Sequence, residues 1–223
     1  SDLVQDPEFG PYNVLHCRPN TVLSYSQIIP ATNGFIVFFD FKPDSGQSNP
    51  HNIFSIRDSA TNFVSMIVLF DPATSKISIK TQSTSNVWTT IATSTALVFQ
   101  GNEESVMSIS KIISCSLGNW NKIVIELVQA QPIDFGSGYF SARIWINHEG
   151  MDRVYFGDVS LQNTLFSGLS SFTLDLCGTR VSGSTILDST LYGSYDINNF
   201  QWLNGVQGVI ENNSGILFVL SHG

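Results

Sequence analysis

Hydrophobic and polar residues exchange places with a period of two along most of this chain. In "GFIVFFDFK" Phe35, Val37, Phe39 and Phe41 share one face, while Ile36, Phe38, Asp40 and Lys42 share the other. That spacing belongs to a strand lying in a sheet. "NIFSIRD" and "SMIVLFD" follow, the second closed by "DPATSK", a turn with Pro at a suitable place. "KISIKT" and "VWTTIAT" read as two more strands. "VMSISKIIS" and "KIVIELV" flank a turn at Gly118-Asn119, and behind Trp120 the apolar Ile123, Ile125 and Leu127 fall on alternate positions. "YFSARIWIN" sets Phe140, Ala142, Ile144 and Ile146 inward, with Arg143, Trp145 and Asn147 outward, and "HEGMD" reads as the next reversal before "RVYFGDV". "SFTLDLCG", "YDINNFQWLNG" and "GILFVL" complete the series, and weak helical spacing over 159–170 predicts a turn or two of helix. Short strands separated by Gly, Asn and Ser turns predict an all-β, antiparallel sandwich or barrel. No linker interrupts them. We expect a single β-sandwich domain over residues 1–223, with extensions at 1–20 and 206–223 packing on it or on a neighbour.

Composition agrees with this reading and narrows the function. The chain of 223 residues is 42% hydrophobic, enough for a full core, but only 13% charged, about half the usual share of roughly 25%. Ser, Thr, Asn and Gln carry the polar balance, which suits the outer faces of strands and not long surface helices. A net charge of −8 leaves no basic stripe to neutralise phosphates, so nucleic acid is not an expected partner. The acidic surface could favour calcium, and it also keeps a chain soluble. No stretch is long and apolar enough to span a membrane. The chain opens at Ser1 without an apolar leader, which suggests a removed signal peptide or a trimmed end and an extracellular or cell-surface location. Asn212 begins the one glycosylation sequon, Asn212-Asn213-Ser214.

Cys17, Cys115 and Cys177 are too widely spaced for a zinc pattern. At most one internal disulfide forms, and one thiol is left over. Cys115 shares a face with Ile109, Ile113 and Leu117, whereas Cys177 alternates with Thr173 and Asp175, opposite Phe172, Leu174 and Leu176. A Cys115–Cys177 bridge is therefore not obvious, and the pairing stays open.

Over roughly residues 30 to 204 the strand order resembles the laminin-G and concanavalin-A-like jelly-roll superfamily. The resemblance rests on "GFIVFFDFKPDSG", on "NIFSIRDSATNFVSMIVLFDPATSKISIKT", on "GNWNKIVIEL" followed by "FSARIWINHEG", and on "SSFTLDLCGT" with "LYGSYDINNFQWLNG". It implies a two-sheet jelly roll in which Trp120 packs under its turn as a core anchor. It also implies rim loops that bind calcium, glycans or protein partners. Asp58 with Asn62, and Asp196 with Asn198, are chemically eligible calcium ligands. Trp88 and Trp145 are the outward aromatics that could stack on a sugar.

Glucanases of this superfamily carry a Glu-x-Asp-x-Glu strand, because retaining hydrolysis needs two carboxyls about 5 Å apart. This chain has none. Glu103 and Glu104 are adjacent, Glu126 stands alone on its strand, and Glu149 and Asp152 sit in a turn. There is no Gly-x-Ser-x-Gly elbow, and His16, His51, His148 and His222 are scattered. The expectation from sequence is therefore that the chain is not an enzyme. Two functions stay open: a recognition or adhesion module holding a glycan or an extracellular protein, and a self-assembling subunit of a fibre, coat or glycocalyx. Sparse charge, sixteen Phe residues and the uncharged, β-prone "GILFVL" bring the second, with a homo-oligomer or polymer as its product, nearly level with the first, which stays the leading expectation.

Overall fold

In a computed structural model of the chain, the residues described are 2–9, 13–18, 22–25, 29–30, 34–82, 87–102, 105–129, 139–151, 153–157, 171–178, 194–204 and 215–220. The predicted helical turn over 159–170, Glu103, Glu104, Asp152 and Asn212 lie outside them. Strands are numbered along the chain. The first sheet holds β1 (Asp2–Gln5), β2 (Asn13–Cys17), β5 (Gly34–Pro43), β12 (Asn121–Gln129), β13 (Tyr139–Ile146), β14 (Glu149–Gly150), β15 (Val154–Gly157), β17 (Tyr195–Asn204) and β18 (Gly215–Leu220). The second holds β3 (Leu23–Ser24), β4 (Ile29–Pro30), β6 (His51–Asp58), β7 (Val64–Asp71), β8 (Lys76–Gln82), β9 (Trp88–Thr93) and β16 (Ser171–Leu176). A separate hairpin pairs β10 (Thr95–Asn102) with β11 (Ser105–Ile112).

The nine-stranded sheet runs β1-β2-β17-β5-β12-β13-β14, with β15 on β13 and β18 on β17; the seven-stranded sheet runs β3-β16-β6-β7-β8-β9, with β4 on β16. All pairings among the described residues are antiparallel, and the result is a two-sheet jelly-roll sandwich. The alternation read in β5 holds throughout: Phe35, Val37, Phe39 and Phe41 are buried, and Ile36, Phe38, Asp40 and Lys42 are half-buried on the outer face. Between the sheets, Phe39 meets Phe54 edge-on at 6.3 Å and Phe41 meets Phe70 at 5.3 Å, while within the first sheet Phe35 stacks on Trp202 at 4.1 Å. Among the described residues, eight phenylalanines, Phe35, Phe39, Phe41, Phe54, Phe70, Phe140, Phe172 and Phe200, fill this core. Each contributes about 1.5–3 kcal/mol of burial.

Two ties cross the sandwich. Tyr195 on β17 is fully buried, and its hydroxyl donates to the carbonyls of Asn52 and Ile53 on β6, at 2.9 and 3.0 Å. Cys17, ending β2, is bridged to Cys177, just beyond β16. Strand alternation had placed the Cys177 thiol on the Thr173 and Asp175 face. Instead, the strand ends at Leu176 and Cys177 takes a left-handed backbone, φ 68°, which breaks the alternation and turns its side chain to the core. Cys115 is the free thiol; it is buried, and burial pushes it up to about 12.

"GILFVL" is β18, hydrogen-bonded to the second half of β17, while β2 occupies the first half of the same edge. The reversal after β13 comes earlier than the sequence reading put it. Asn147 and His148, both with positive φ, make a two-residue turn, and Glu149–Gly150 is already the return strand.

Reducing the Cys17–Cys177 bridge should cost about 4–5 kcal/mol in a denaturant titration, since it closes a span of 160 residues. His51 makes a second test. It is fully buried, 5.5 Å from the Phe70 ring and stacked on Tyr195 at 6.0 Å. Burial pushes its imidazole below the ordinary value, against partial support from the Asn49 and Pro50 backbone. The unfolded chain therefore takes up a proton first on acidification. Stability should fall below about pH 6.5, at up to about 1.4 kcal/mol per pH unit from this group. Melting curves of His51→Phe should lose that component.

Candidate functional site

The outward residues of the first sheet form cross-strand rows, because residues opposite in register share a face. Gln201 lies opposite Phe38, Phe38 opposite Val124, Val124 opposite Trp145, and Trp145 opposite Gly150. The next row carries Asn198, Asp40 and Lys122. A groove of about 620 Å³ lies over these rows, with Phe38, Val124 and Trp145 giving it an apolar floor and Asp40, Asn199 and Gln201 a polar side. A second hollow of about 490 Å³ shares Asp40, Lys122, His148 and Asn199 and reaches Trp120 and Glu8. The two make one depression with an indole toward each end.

A bulge in β17 shapes the polar side. The register to β5 slips between Asn198 and Gln201, and Asn199 takes φ 51° there. The slip keeps Ile197, Phe200 and Trp202 in the core while Asn199 projects outward and donates to Asp40 Oδ2 at 2.8 Å. The left-handed His148 puts its ring on both hollows. Asn121 holds the corner: its Nδ2 donates to the carbonyls of Phe41, Ser116 and Asn119, and its Oδ1 accepts from Ser116 N and Asn147 Nδ2. Sequence reading missed Asn121, Asn199, His148 and Gln201 as site residues. Only the bulge and the turn, both tertiary features, gather them.

Trp145 is half-buried, with the Arg143 guanidinium 4.8 Å from its ring centre and Gly150 beneath its edge. Trp120 does not anchor the core. It is half-buried, lies outside the core cluster, and has Lys42 Nζ 5.7 Å from its ring centre. With Gly118 in a left-handed turn, the ring falls on the outer face. There Asp6 accepts from Lys42 Nζ at 2.8 Å, from Glu8 N at 2.9 Å and from the Trp120 indole. Burial raises the Asp6 carboxyl, but these donors together hold it below the ordinary value, and the bond to Asp6 raises Lys42.

Trp88 packs on the outer face of the other sheet against Val64, Ile67 and Leu69, so it does not join Trp145. Glu126, read as standing alone, is buried and paired with Arg153 at 2.8 Å.

The four calcium candidates are not brought together. Asp58 Oδ1 already accepts from Ala60 N, Thr61 N and Thr61 Oγ1, at 3.0, 2.7 and 2.8 Å, and so caps its own turn. Asn62 accepts from Arg57, which also grips the fully buried Asp175 at 3.0 Å. Asp196 and Asn198 belong to β17 in the other sheet, Asp196 bound to His16 and Asn198 buried opposite Asp40. Among the described residues no group of three or more His, Cys, Asp or Glu is placed to hold a metal ion. In each of the two candidate pairs the Asp carboxylate is already engaged, Asp58 by its own turn and Asp196 by His16.

No protein-family model and no curated protein sequence matches the chain. Solved structures do match its fold. A native heptameric SAP-like pentraxin from Limulus polyphemus aligns over 94% of this chain and 95% of its own, at 15% identity and a TM-score of 0.51. An endo-β-1,4-glucuronan lyase from the fungus Trichoderma reesei aligns over 86% and 76%, at 9% identity and a TM-score of 0.48. The Emp46p carbohydrate recognition domain, in a potassium-bound form, aligns over 87% and 83%, at 11% identity and a TM-score of 0.46. The likeness to the pentraxin supports a jelly-roll fold, and the laminin-G branch is not singled out. The exclusion of enzyme activity is corrected: polysaccharide lyases share this fold class. The missing carboxylate pair spoke only against retaining hydrolysis. At 9% identity the likeness does not make this chain catalytic.

A Cβ at Gly150 would stand 2.5 Å from Trp145 Nε1 and 2.6 Å from Cδ1, both on a side chain able to swing. Gly150→Ala should displace the indole and shift its fluorescence maximum, with thermal stability changed by less than about 1 kcal/mol.

Proposed function

We propose that this chain is a glycan-binding module whose ligand lies along the groove between Trp145 and Trp120. The observation that carries this reading is the row Gln201–Phe38–Val124–Trp145 on a solvent-facing sheet, bordered by Asp40, Asn199 and His148. An indole and a Phe–Val floor suit the C–H faces of a pyranose ring, and amide and carboxylate groups suit its hydroxyls. Lys122 and His148 lie in both hollows and supply donors for an acidic or a neutral sugar. The Cys17–Cys177 bridge supports an oxidising, extracellular or cell-surface setting.

A glycan array with the intact chain tests this, followed by titration of the best binder against variants. Trp145→Ala and Gln201→Ala should weaken binding at least about tenfold each. Trp88→Ala, on the opposite sheet, should leave it unchanged. No glycan bound, or equal loss with Trp88→Ala, would overturn the groove as the site.

A homo-oligomer is the second reading. It is favoured by the sparse charge and by the likeness to a heptameric pentraxin, and sedimentation across concentration distinguishes it from a monomer.

A further inference from the structure

The seam between β2 and β17 holds a constellation that the groove does not use. His16 and Asp196 are opposite one another in the register, and His16 Nδ1 lies 2.6 Å from Asp196 Oδ1. On the other side of the ring, Ser194 Oγ lies 3.4 Å from His16 Nε2. Hydroxyl, imidazole and carboxylate thus stand in line, each ring nitrogen engaged by one partner. The carboxylate selects the tautomer with the proton on Nδ1, which leaves the Nε2 lone pair facing the serine hydroxyl. This is the arrangement that activates a serine for attack, recognised by geometry and not by order along the chain. At 3.4 Å the Ser194–His16 contact is longer than a working hydrogen bond, and such contacts can shorten when a substrate binds.

Hydrogen bonds tie Ser194 and its neighbour to the fold. The Ser194 carbonyl accepts from Asp44 N at 3.3 Å, and the next residue, Tyr195, is locked into the core through its hydroxyl. The imidazole side chain keeps 24% of its exposure, the Asp196 side chain 13% and Ser194 8%, so the relay opens to solvent through the imidazole while its hydroxyl and carboxylate are largely covered. Lys42 stands opposite Asp196 in the β5–β17 register, adding a positive charge to the row.

We propose that Ser194 is an activated nucleophile toward carboxylic esters, with His16 as its base and Asp196 as the positioning residue. Ser194 Oγ attacks the ester carbonyl carbon as its proton passes to His16 Nε2. The tetrahedral adduct collapses by breaking the bond to the alcohol oxygen, which leaves with that proton. Water then attacks the acyl-serine, giving one proton to His16. Collapse releases the carboxylic acid and returns the proton to Ser194. Asp196 holds the ring and stabilises the imidazolium formed in each half.

The test uses the intact chain with a fluorophosphonate probe, read by mass spectrometry of the labelled peptide, and with p-nitrophenyl acetate as a chromogenic ester. The expected result is one label on Ser194, absent from Ser194→Ala. Ester turnover should fall to the buffer rate in Ser194→Ala and by about 10³–10⁴-fold in Asp196→Asn. Circular dichroism checks each fold, and Ser194→Ala, which removes a single oxygen, decides the matter should the His16 or Asp196 variants unfold. Trp88→Ala, on the opposite sheet, should label like the unmodified chain. An unlabelled chain, or equal labelling and turnover in Ser194→Ala, would overturn the proposal.

Discussion

The position of β5 between β12 and β17 governs both faces of the first sheet. Its ten residues from Gly34 to Pro43 pair along β12 from Val128 to Asn121 and along β17 from Asn204 to Tyr195. Side chains alternate with a period of two, so a slip of one residue would send Phe35, Val37, Phe39 and Phe41 into solvent and Asp40 and Lys42 into the core. The burial of those four residues fixes the register, and the register in turn sets Phe38, Val124 and Trp145 side by side outside. Core and groove are two readings of one pairing. Gly34 shows how closely it is fitted: a Cβ there would lie 2.8 Å from the Leu127 carbonyl oxygen on β12.

The departures from regular pairing coincide with the site. The β17 bulge adds one residue against β5, which lets the strand supply core residues on either side while Asn199 turns to Asp40. The Asn147–His148 turn uses two left-handed residues where glycine would be easier. Both sit on the groove. Elsewhere the polar residues build the frame: Asp58 caps a turn, Asp175 is neutralised by Arg57 deep in the second sheet, and Glu126 by Arg153. Removing one partner of the Arg57–Asp175 pair would leave a charge buried, which makes such residues poor candidates for ligand binding.

The jelly-roll fold itself does not choose between carbohydrate recognition and catalysis on carbohydrate. Function has to be argued from what the outer face carries, and that face carries aromatics with amides and few free carboxylates in the groove. The His16–Asp196–Ser194 line sits one row away, on the same sheet, where the N-terminal hairpin joins β17.

The strands and their faces were legible in the sequence, because alternation is local: β5, β12 and β13 bury the residues their periodicity selects. Alternation fails where the backbone leaves the extended region, which is why Cys177 and the Asn147–His148 reversal were misplaced. Trp120 read as core since a large ring beside a strand usually is, but Asp6 and Lys42 offered it partners outside. What only the tertiary structure decided are the long-range meetings: Cys17 with Cys177, "GILFVL" with β17, and His16 with Asp196 across 180 residues. Periodicity tells a side chain which face to take, and it carries no information about which distant strand becomes its neighbour.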